Sequence, residues 1–246
     1  WLQIIMKKSN SKLTNKIKSI LLTLSSITIL AFNFIGYSQT TIIDSSGDGG
    51  FESGTTFATN NWISNTPTST TSNQWVCNTG ATSGFSGTRC AYISNNRSAT
   101  PPPHTYTNTA TRVSHLYKDI SIPAGESNIN LSFSWIVDGE GIYDYMRIWI
   151  IPQTFNPVYG TQITTTGTAP TGRIQIGGNF SEQYTWTNST FQLPTSYAGT
   201  NVRLVFEWRN DGSLGGNPPV GLDDISLTSD TNSTYCNPTS SNSADY

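Results

Sequence analysis

Carboxylates and histidines are the side chains of this sequence that could carry out catalysis. Asp138 and Glu140 are two positions apart, so in an extended chain they would share one face and could act as the acid and base of a glycosidase. A polar loop between strands explains the pair better. His104 follows three prolines and His115 falls in a strand-like segment, with no indication that a serine and an aspartate join either one. We therefore predict no catalytic residue and no enzyme.

Aromatic side chains could bind sugar, because a flat ring stacks on the apolar face of a pyranose. Trp149, Tyr143 and Tyr159 are our candidate ligand-binding residues. Trp135, Trp186 and Trp208 alternate with apolar neighbours, and we expect them in the core. The alternative is that all seven Trp residues are structural.

The first 38 residues predict export. An apolar stretch over 20–35 follows a basic one and is too short and too polar for a stable membrane span, which is the layout of a signal peptide. We place the initiator at Met6 and cleavage before Gln39. The remaining chain has 8 Lys+Arg against 15 Asp+Glu, a net charge of −7. This excess of acid argues against nucleic acid as a partner and is compatible with divalent cations. The five lysines of the basic stretch are Lys7, Lys8, Lys12, Lys16 and Lys18.

The cysteine spacing fits an exported protein. Cys77 and Cys90 are separated by a Gly/Ser/Thr-rich stretch, which suits two neighbouring antiparallel strands joined by a loop. We predict a disulfide between them, stabilising the fold by about 3 kcal/mol. Two reduced, buried thiols are the alternative. Cys236 has no partner left, so its partner is expected beyond residue 246.

Apolar and aromatic residues alternate with a period of two from Gln39 onward, and helical periodicity is nearly missing. The pattern predicts an all-β chain folded as a two-sheet antiparallel sandwich. We assign one domain to 39–229, and a linker with the start of a further module to 230–246. The predicted strands are 40–43, 74–77, 89–93, 113–120, 129–136, 145–151, 172–176, 185–192, 202–208 and 220–227.

Several short segments in a fixed order carry a family likeness. They are GFESG at 50–54, SGTRCAYI at 86–93, SHLYKDI at 114–120, YDYMR at 143–147, WRNDG at 208–212 and GLDDISL at 221–227. Together they resemble the MAM-like "choice-of-anchor" and cleaved-adhesin jelly-roll domains of secreted bacterial proteins that use the type IX secretion route. The likeness covers about 42–228, and the tail 235–246 is similar to the first residues of a GEVED-type module.

The resemblance implies a calcium site and a role outside the cell. In such jelly rolls the Glu of an "FE" pair and the first Asp of a "DD" pair meet to hold a structural Ca²⁺, and the matching positions are Glu52 and Asp223. Asp48 and Asp224 are additional candidates, although Asp224 needs a β-bulge to face the same ion. A solvated Asp pair without an ion is the alternative.

The implied function is non-catalytic binding or adhesion at the outer cell surface. The ligand would be a carbohydrate or an extracellular protein, and further domains would follow residue 246. The alternative is a structural accessory domain of a secreted multidomain peptidase or glycosidase.

Overall fold

The computed structural model describes residues 36–67, 72–79 and 84–233, and nearly all regular structure in these ranges is β-strand. All ten predicted strands are present, so the predicted all-β class is confirmed, and an additional two-residue strand lies at Ile63–Ser64. The strands are β1 Gly36–Ile43, β2 Ile63–Ser64, β3 Gln74–Asn78, β4 Cys90–Ser94, β5 Arg112–Ser121, β6 Glu126–Val137, β7 Tyr145–Pro152, β8 Ile174–Phe180, β9 Gln183–Gln192, β10 Asn201–Asn210 and β11 Gly221–Ser233. Short 3₁₀ turns occupy Ala58–Asn60 and Thr195–Tyr197.

Two antiparallel sheets form the predicted sandwich. The six-stranded sheet has the order β3-β4-β11-β6-β9, and β1 also pairs with β11. The five-stranded sheet has the order β2-β5-β10-β7-β8. Sequential strands are therefore often in different sheets, and both β2 and β3 lie at sheet edges.

The core lies between the sheets and consists of the side chains that alternate inward. Phe133 of β6 contacts Phe206 of β10 across the sandwich, with ring centroids 5.7 Å apart in an edge-to-face arrangement. Trp62 packs on Phe206 at 5.9 Å. Trp135 and Trp208 are buried as predicted. Aromatic rings thus supply much of the apolar area that holds the two sheets together.

The last strand, β11, is the longest of the described strands and contains an irregularity near Asp223. Between Asp223 and Ser226 the pairing of β11 with β6 shifts register, and Asp224 takes a left-handed conformation with φ 48°. A β-bulge of this kind turns neighbouring side chains toward the same side of a strand.

The strands belong to one compact unit, Tyr37–Ser233. The described residues contain no helix long and apolar enough to span a membrane. The predicted signal peptide lies almost wholly outside the described residues, as do Cys236 and the start of the further module.

Candidate functional site

The structure contradicts part of the predicted sugar-binding set. Trp149 is 1% exposed and packs with Ile163 and Val205 on the outer side of the five-stranded sheet, so its ring is not available to a ligand. Tyr143 is 47% exposed in the loop that follows β6. Tyr159 is half-buried in the loop after β7. The three rings therefore do not form one platform.

The outer face of the six-stranded sheet is rich in hydroxyl and amide groups across β6 and β9. Leu131 and Phe133 of β6 point into the core, so the alternate positions point outward. Ser134 of β6 lies opposite Asn188 of β9, whose amide donates to the serine oxygen at 3.5 Å. We call this surface the polar face. Its members are Asn130, Ser132 and Ser134 on β6, Asn188, Thr190 and Gln192 on β9, and Ser226 and Thr228 on β11.

Aromatic rings stand at one end of the polar face. Trp186 precedes Asn188 by two positions on β9 and is half-buried against the cluster formed by Val76, Cys90 and Tyr92. A methyl group at Gly221 would lie 3.1 Å from Trp186 Cη2, so the indole lies over the β11 backbone where no side chain intervenes. Phe85, 48% exposed, has its ring centroid 6.2 Å from that of Trp186. Tyr184, also on β9, is 64% exposed.

Assigning Trp186 to the core was therefore wrong, and the sequence contained the relevant signal. Trp186 shares its strand parity with Asn188, Thr190 and Gln192, all of which are polar. A core-facing tryptophan would share parity with apolar residues, as Trp208 does on β10.

The loop that carries Phe85 is held by carboxylates from both ends of the domain. The Glu52 carboxylate accepts hydrogen bonds from the backbone N–H of Thr88 at 2.7 Å and of Arg89 at 2.8 Å, and a further bond from the Thr88 hydroxyl. Burial by itself raises the pKa of Glu52, but these bonds outweigh it and leave the pKa below its ordinary value. Glu52 thus anchors the loop 84–89 as an ionised group.

Asp223 contacts the same loop from β11. Its carboxylate accepts bonds from the backbone N–H of Ser86 at 3.0 Å and from that of Asp224 at 2.9 Å. The residue is fully buried, and the described residues place no cation within salt-bridge distance of it. Burial raises the pKa of Asp223 to about 7, helped by the neighbouring Asp224. Asp224, turned by the bulge, accepts from the Ser86 hydroxyl at 2.6 Å.

This arrangement suits a calcium ion at Asp223 better than at the other predicted positions. A buried carboxylate without a cation costs free energy of folding. A methyl group placed on Gly84 would contact the Asp223 carboxylate and the carbonyl oxygens of Ser86 and Arg89, so these oxygens lie around one position. Carboxylate and carbonyl oxygens are the ligands that Ca²⁺ prefers. Glu52, in contrast, already has the Arg89 guanidinium 3.6 Å from its carboxylate.

Asp48 does not fit a metal site in this structure. Its carboxylate is 2.9 Å from the Lys118 ammonium and accepts two bonds from the Asn61 amide. Burial raises the pKa of Asp48, but the contacts with Asn61 and Lys118 lower it overall. This carboxylate therefore already has its own cation, in contrast to Asp223.

The predicted disulfide is not formed, and both cysteines are free, buried thiols. β3 and β4 are neighbours, as predicted, but Cys77 lies opposite Ala91 while Cys90 lies opposite Asn78. Adjacent residues of a strand point to opposite faces, so Cys77 faces the core and Cys90 the outside of the sheet. Burial raises the pKa of Cys77 to about 12, which keeps it protonated.

The two histidines considered as possible catalytic groups are buried in the fold. His115 and Glu207 are 3.1 Å apart but both fully buried, and Ile163 of the covering loop donates its N–H to Glu207. His104 is 5% exposed, and burial lowers its pKa to about 4. Neither histidine has access to a substrate.

A carboxylate cluster forms where the loop after β6 meets the end of β10. Glu140 lies there with Asp144 and Asp211, and their oxygens are within 4.8 Å of one another. Asp144 is fully buried and accepts a hydrogen bond from Tyr106 at 2.5 Å. Asp138, in contrast, lies against Gly216. The structure therefore groups Glu140 with Asp144 and Asp211 instead of with Asp138.

No protein-family model matches the chain, and no curated protein matches it significantly. Solved structures do resemble it. TmCBM61, solved in complex with β-1,4-galactotriose, has a TM-score of 0.42 and 10% identity over 75% of this chain and 97% of that one. The Stig cyclase Fisc of Fischerella sp. TAU has a TM-score of 0.44 and 15% identity over 78% and 98%. The K3 cleaved adhesin domain of Lys-gingipain from Porphyromonas gingivalis has a TM-score of 0.39 and 18% identity over 77% and 98%. These likenesses concern the fold and assign no ligand.

Proposed function

We propose that this chain is a non-catalytic, extracellular binding or adhesion domain that recognises neutral carbohydrate on its polar face. The supporting observation is the combination of Trp186 and Phe85 at one end of an open sheet surface with hydroxyl and amide groups along the rest. Sugars present apolar ring faces and rings of hydroxyl groups, and this surface offers a partner for each.

The polar face supports binding without bond cleavage. Glycoside hydrolysis requires two carboxylic groups flanking the scissile bond, one of them able to donate a proton. The carboxylate of β11 that lies opposite Ser134 of the polar face, Asp223, is fully buried and occupied by backbone N–H groups. Recognition at equilibrium is the activity that such a surface can perform.

We also propose that Ca²⁺ stabilises the loop 84–89, which borders the polar face. The Asp223 carboxylate and the carbonyls of Ser86 and Arg89 would hold the ion, and Glu52 would keep the loop in place from the opposite side. When bound, the ion neutralises a buried negative charge. Because the same loop carries Phe85 toward Trp186, an ordered loop preserves the aromatic end of the polar face.

The test is retention of the purified chain on immobilised neutral β-1,4-linked oligosaccharides of glucose, galactose and mannose. Trp186→Ala should weaken binding at least about tenfold, since a stacked ring contributes roughly 1.4 kcal/mol or more. Tyr143→Ala is the matched control, because it removes another exposed ring, which lies in the loop after β6 and not on the polar face. Thermal unfolding shows whether each variant remains folded.

Two results would contradict the proposal. One is that the folded chain binds none of these sugars but is retained by an extracellular matrix protein. The other is that Tyr143→Ala, and not Trp186→Ala, abolishes sugar binding, which would move the site to the loop after β6.

A further inference from the structure

A groove lies at one edge of the sandwich, and none of its lining residues belongs to the polar face. There the edge strand β3 of one sheet and the edge strand β2 of the other border a groove of about 360 Å³. This volume is within the range of small-ligand sites, roughly 300–1,000 Å³. We call it the edge groove. Phe57 and Trp75 contribute its aromatic lining.

Hydroxyl and amide groups make up most of the polar lining of the edge groove. Thr55 and Thr56 line it from the segment before the first 3₁₀ turn, and Ser64 and Thr66 line it from β2 and the residues after it. Among the lining residues that the structure describes, none is acidic. The groove therefore lacks the carboxylates that a cation or a glycosidase mechanism would require.

Gln74 is the buried polar group of the edge groove that lacks a partner. The residue is fully buried, and its Nε2 makes no hydrogen bond within the described part of the chain. Its Oε1 accepts a bond from Arg97 Nη1 at 2.9 Å, which fixes the orientation of the amide because only the oxygen can accept. A buried donor without an acceptor is costly, and a ligand oxygen in the groove would remove this cost.

Arg97 adds a positive charge to the same place. Its guanidinium is exposed and donates to the neutral Gln74 oxygen, and no carboxylate of the described residues comes within 4.0 Å of it. Its remaining N–H groups are suited to a planar oxyanion, which a guanidinium binds in a bidentate manner.

We infer that the edge groove is a second binding site, for a carboxylate-bearing saccharide such as a uronic acid unit. The sugar carboxylate would pair with Arg97, a ring oxygen or hydroxyl would accept from Gln74 Nε2, and the threonine and serine hydroxyls would contact the remaining sugar hydroxyls. The residues that form this site are different from those of the polar face, so the site does not depend on carbohydrate binding there.

The lining favours a saccharide over a peptide. An extended peptide added to the free edge of β3 would gain specificity from apolar pockets for alternate side chains. The edge groove instead presents four hydroxyls, the Asn78 amide and the Gln74 amide beside two aromatic rings and three smaller apolar residues, Val76, Cys77 and Pro102. Such a surface matches a ligand that is covered by hydroxyl groups.

The experiment is a calorimetric titration of the chain with oligogalacturonate and with the same oligomer carrying methyl-esterified carboxyl groups. The free acid should bind at least tenfold more tightly than the ester, and rising salt should weaken only the acid. Arg97→Ala should remove this preference, and Arg97→Lys should restore part of it. Arg147→Ala removes the same charge from β7, where Arg147 pairs with Asn179, and should leave binding unchanged.

Equal binding of acid and ester, or an unchanged affinity in folded Arg97→Ala, would overturn the inference. Binding of a sulfated oligosaccharide or of a peptide with a free carboxyl terminus, in place of the uronate, would also overturn it. Trp186→Ala should leave uronate binding intact. A loss in that variant would mean that the uronate binds on the polar face.

Discussion

The buried Asp223 carboxylate predicts that the domain loses stability as the pH rises from about 4 to about 7. Burial raises its pKa in the folded chain to about 7 from an ordinary value of 3.8. The folded state therefore holds a proton that the unfolded state has released. This contribution is complete below the unfolded pKa and is lost as the pH rises through the folded pKa.

The size of the effect follows from the shift. A difference of about three pKa units corresponds to about 4 kcal/mol of unfolding free energy between pH 4 and pH 8. Asp138, Glu140 and Asp144 also have raised pKa values, mainly through burial, and they change stability in the same direction. The contribution of Asp223 must therefore be isolated by comparison with a variant.

The assay is urea unfolding of wild type and Asp223→Asn at pH 5 and pH 8, with a chelator and with Ca²⁺. An asparagine side chain has one oxygen in place of two, so at every pH it leaves one of the two backbone N–H groups without its acceptor. The comparison therefore concerns the pH dependence of stability and not the absolute stability. With chelator, the wild type should lose markedly more stability than the variant between the two pH values. With Ca²⁺ at about 100 times its dissociation constant, wild type at pH 8 should regain about 2.7 kcal/mol and the variant nothing.

Identical pH dependence in wild type and Asp223→Asn would refute the argument from the buried charge. If the pH dependence differs but Ca²⁺ stabilises neither protein, the charge argument stands and the calcium proposal fails. Stabilisation of both proteins to the same extent would place the ion elsewhere in the chain.

Two further predictions concern the thiols and a tight turn. Both Cys77 and Cys90 should react with a thiol reagent once the chain is unfolded without reductant, and reductant should leave the melting temperature unchanged; a melting temperature that falls in reductant would indicate a bridge. Gly49→Ala should destabilise the domain by about 3 kcal/mol, because the new methyl would lie 1.8 Å from the Ile225 carbonyl oxygen. Gly47→Ala, whose methyl would come no closer than 3.5 Å to a described neighbour, should melt like wild type, and equal melting of both variants would disprove the clash.

The sequence was sufficient to predict the fold class and ten of the eleven strands in the described residues. Side chains alternate with a period of two wherever one face of a strand is buried, so β6, β7 and β10 are visible as stripes of apolar residues. The same rule placed Trp135 and Trp208 in the core. β2 was missed because two residues are too few to show a period.

Tertiary structure decided which outward surfaces remain open. Alternation separates the two faces of a strand but does not show whether a loop covers the outer one. The segment around Ile163 covers Trp149 on the five-stranded sheet, whereas Trp186 on the six-stranded sheet stays half-exposed. The predicted sugar platform therefore included a ring that a loop makes inaccessible.

Register decided the remaining points. A shift of one residue between paired strands moves a side chain to the opposite face, and this is why Cys77 and Cys90 are on neighbouring strands without facing each other. The bulge at Asp224 and the placement of β2 and β3 on the two sides of the edge groove have the same origin, since both depend on pairing between distant segments. Local sequence patterns determine each strand, but only the packed sheets determine which atoms of different strands meet.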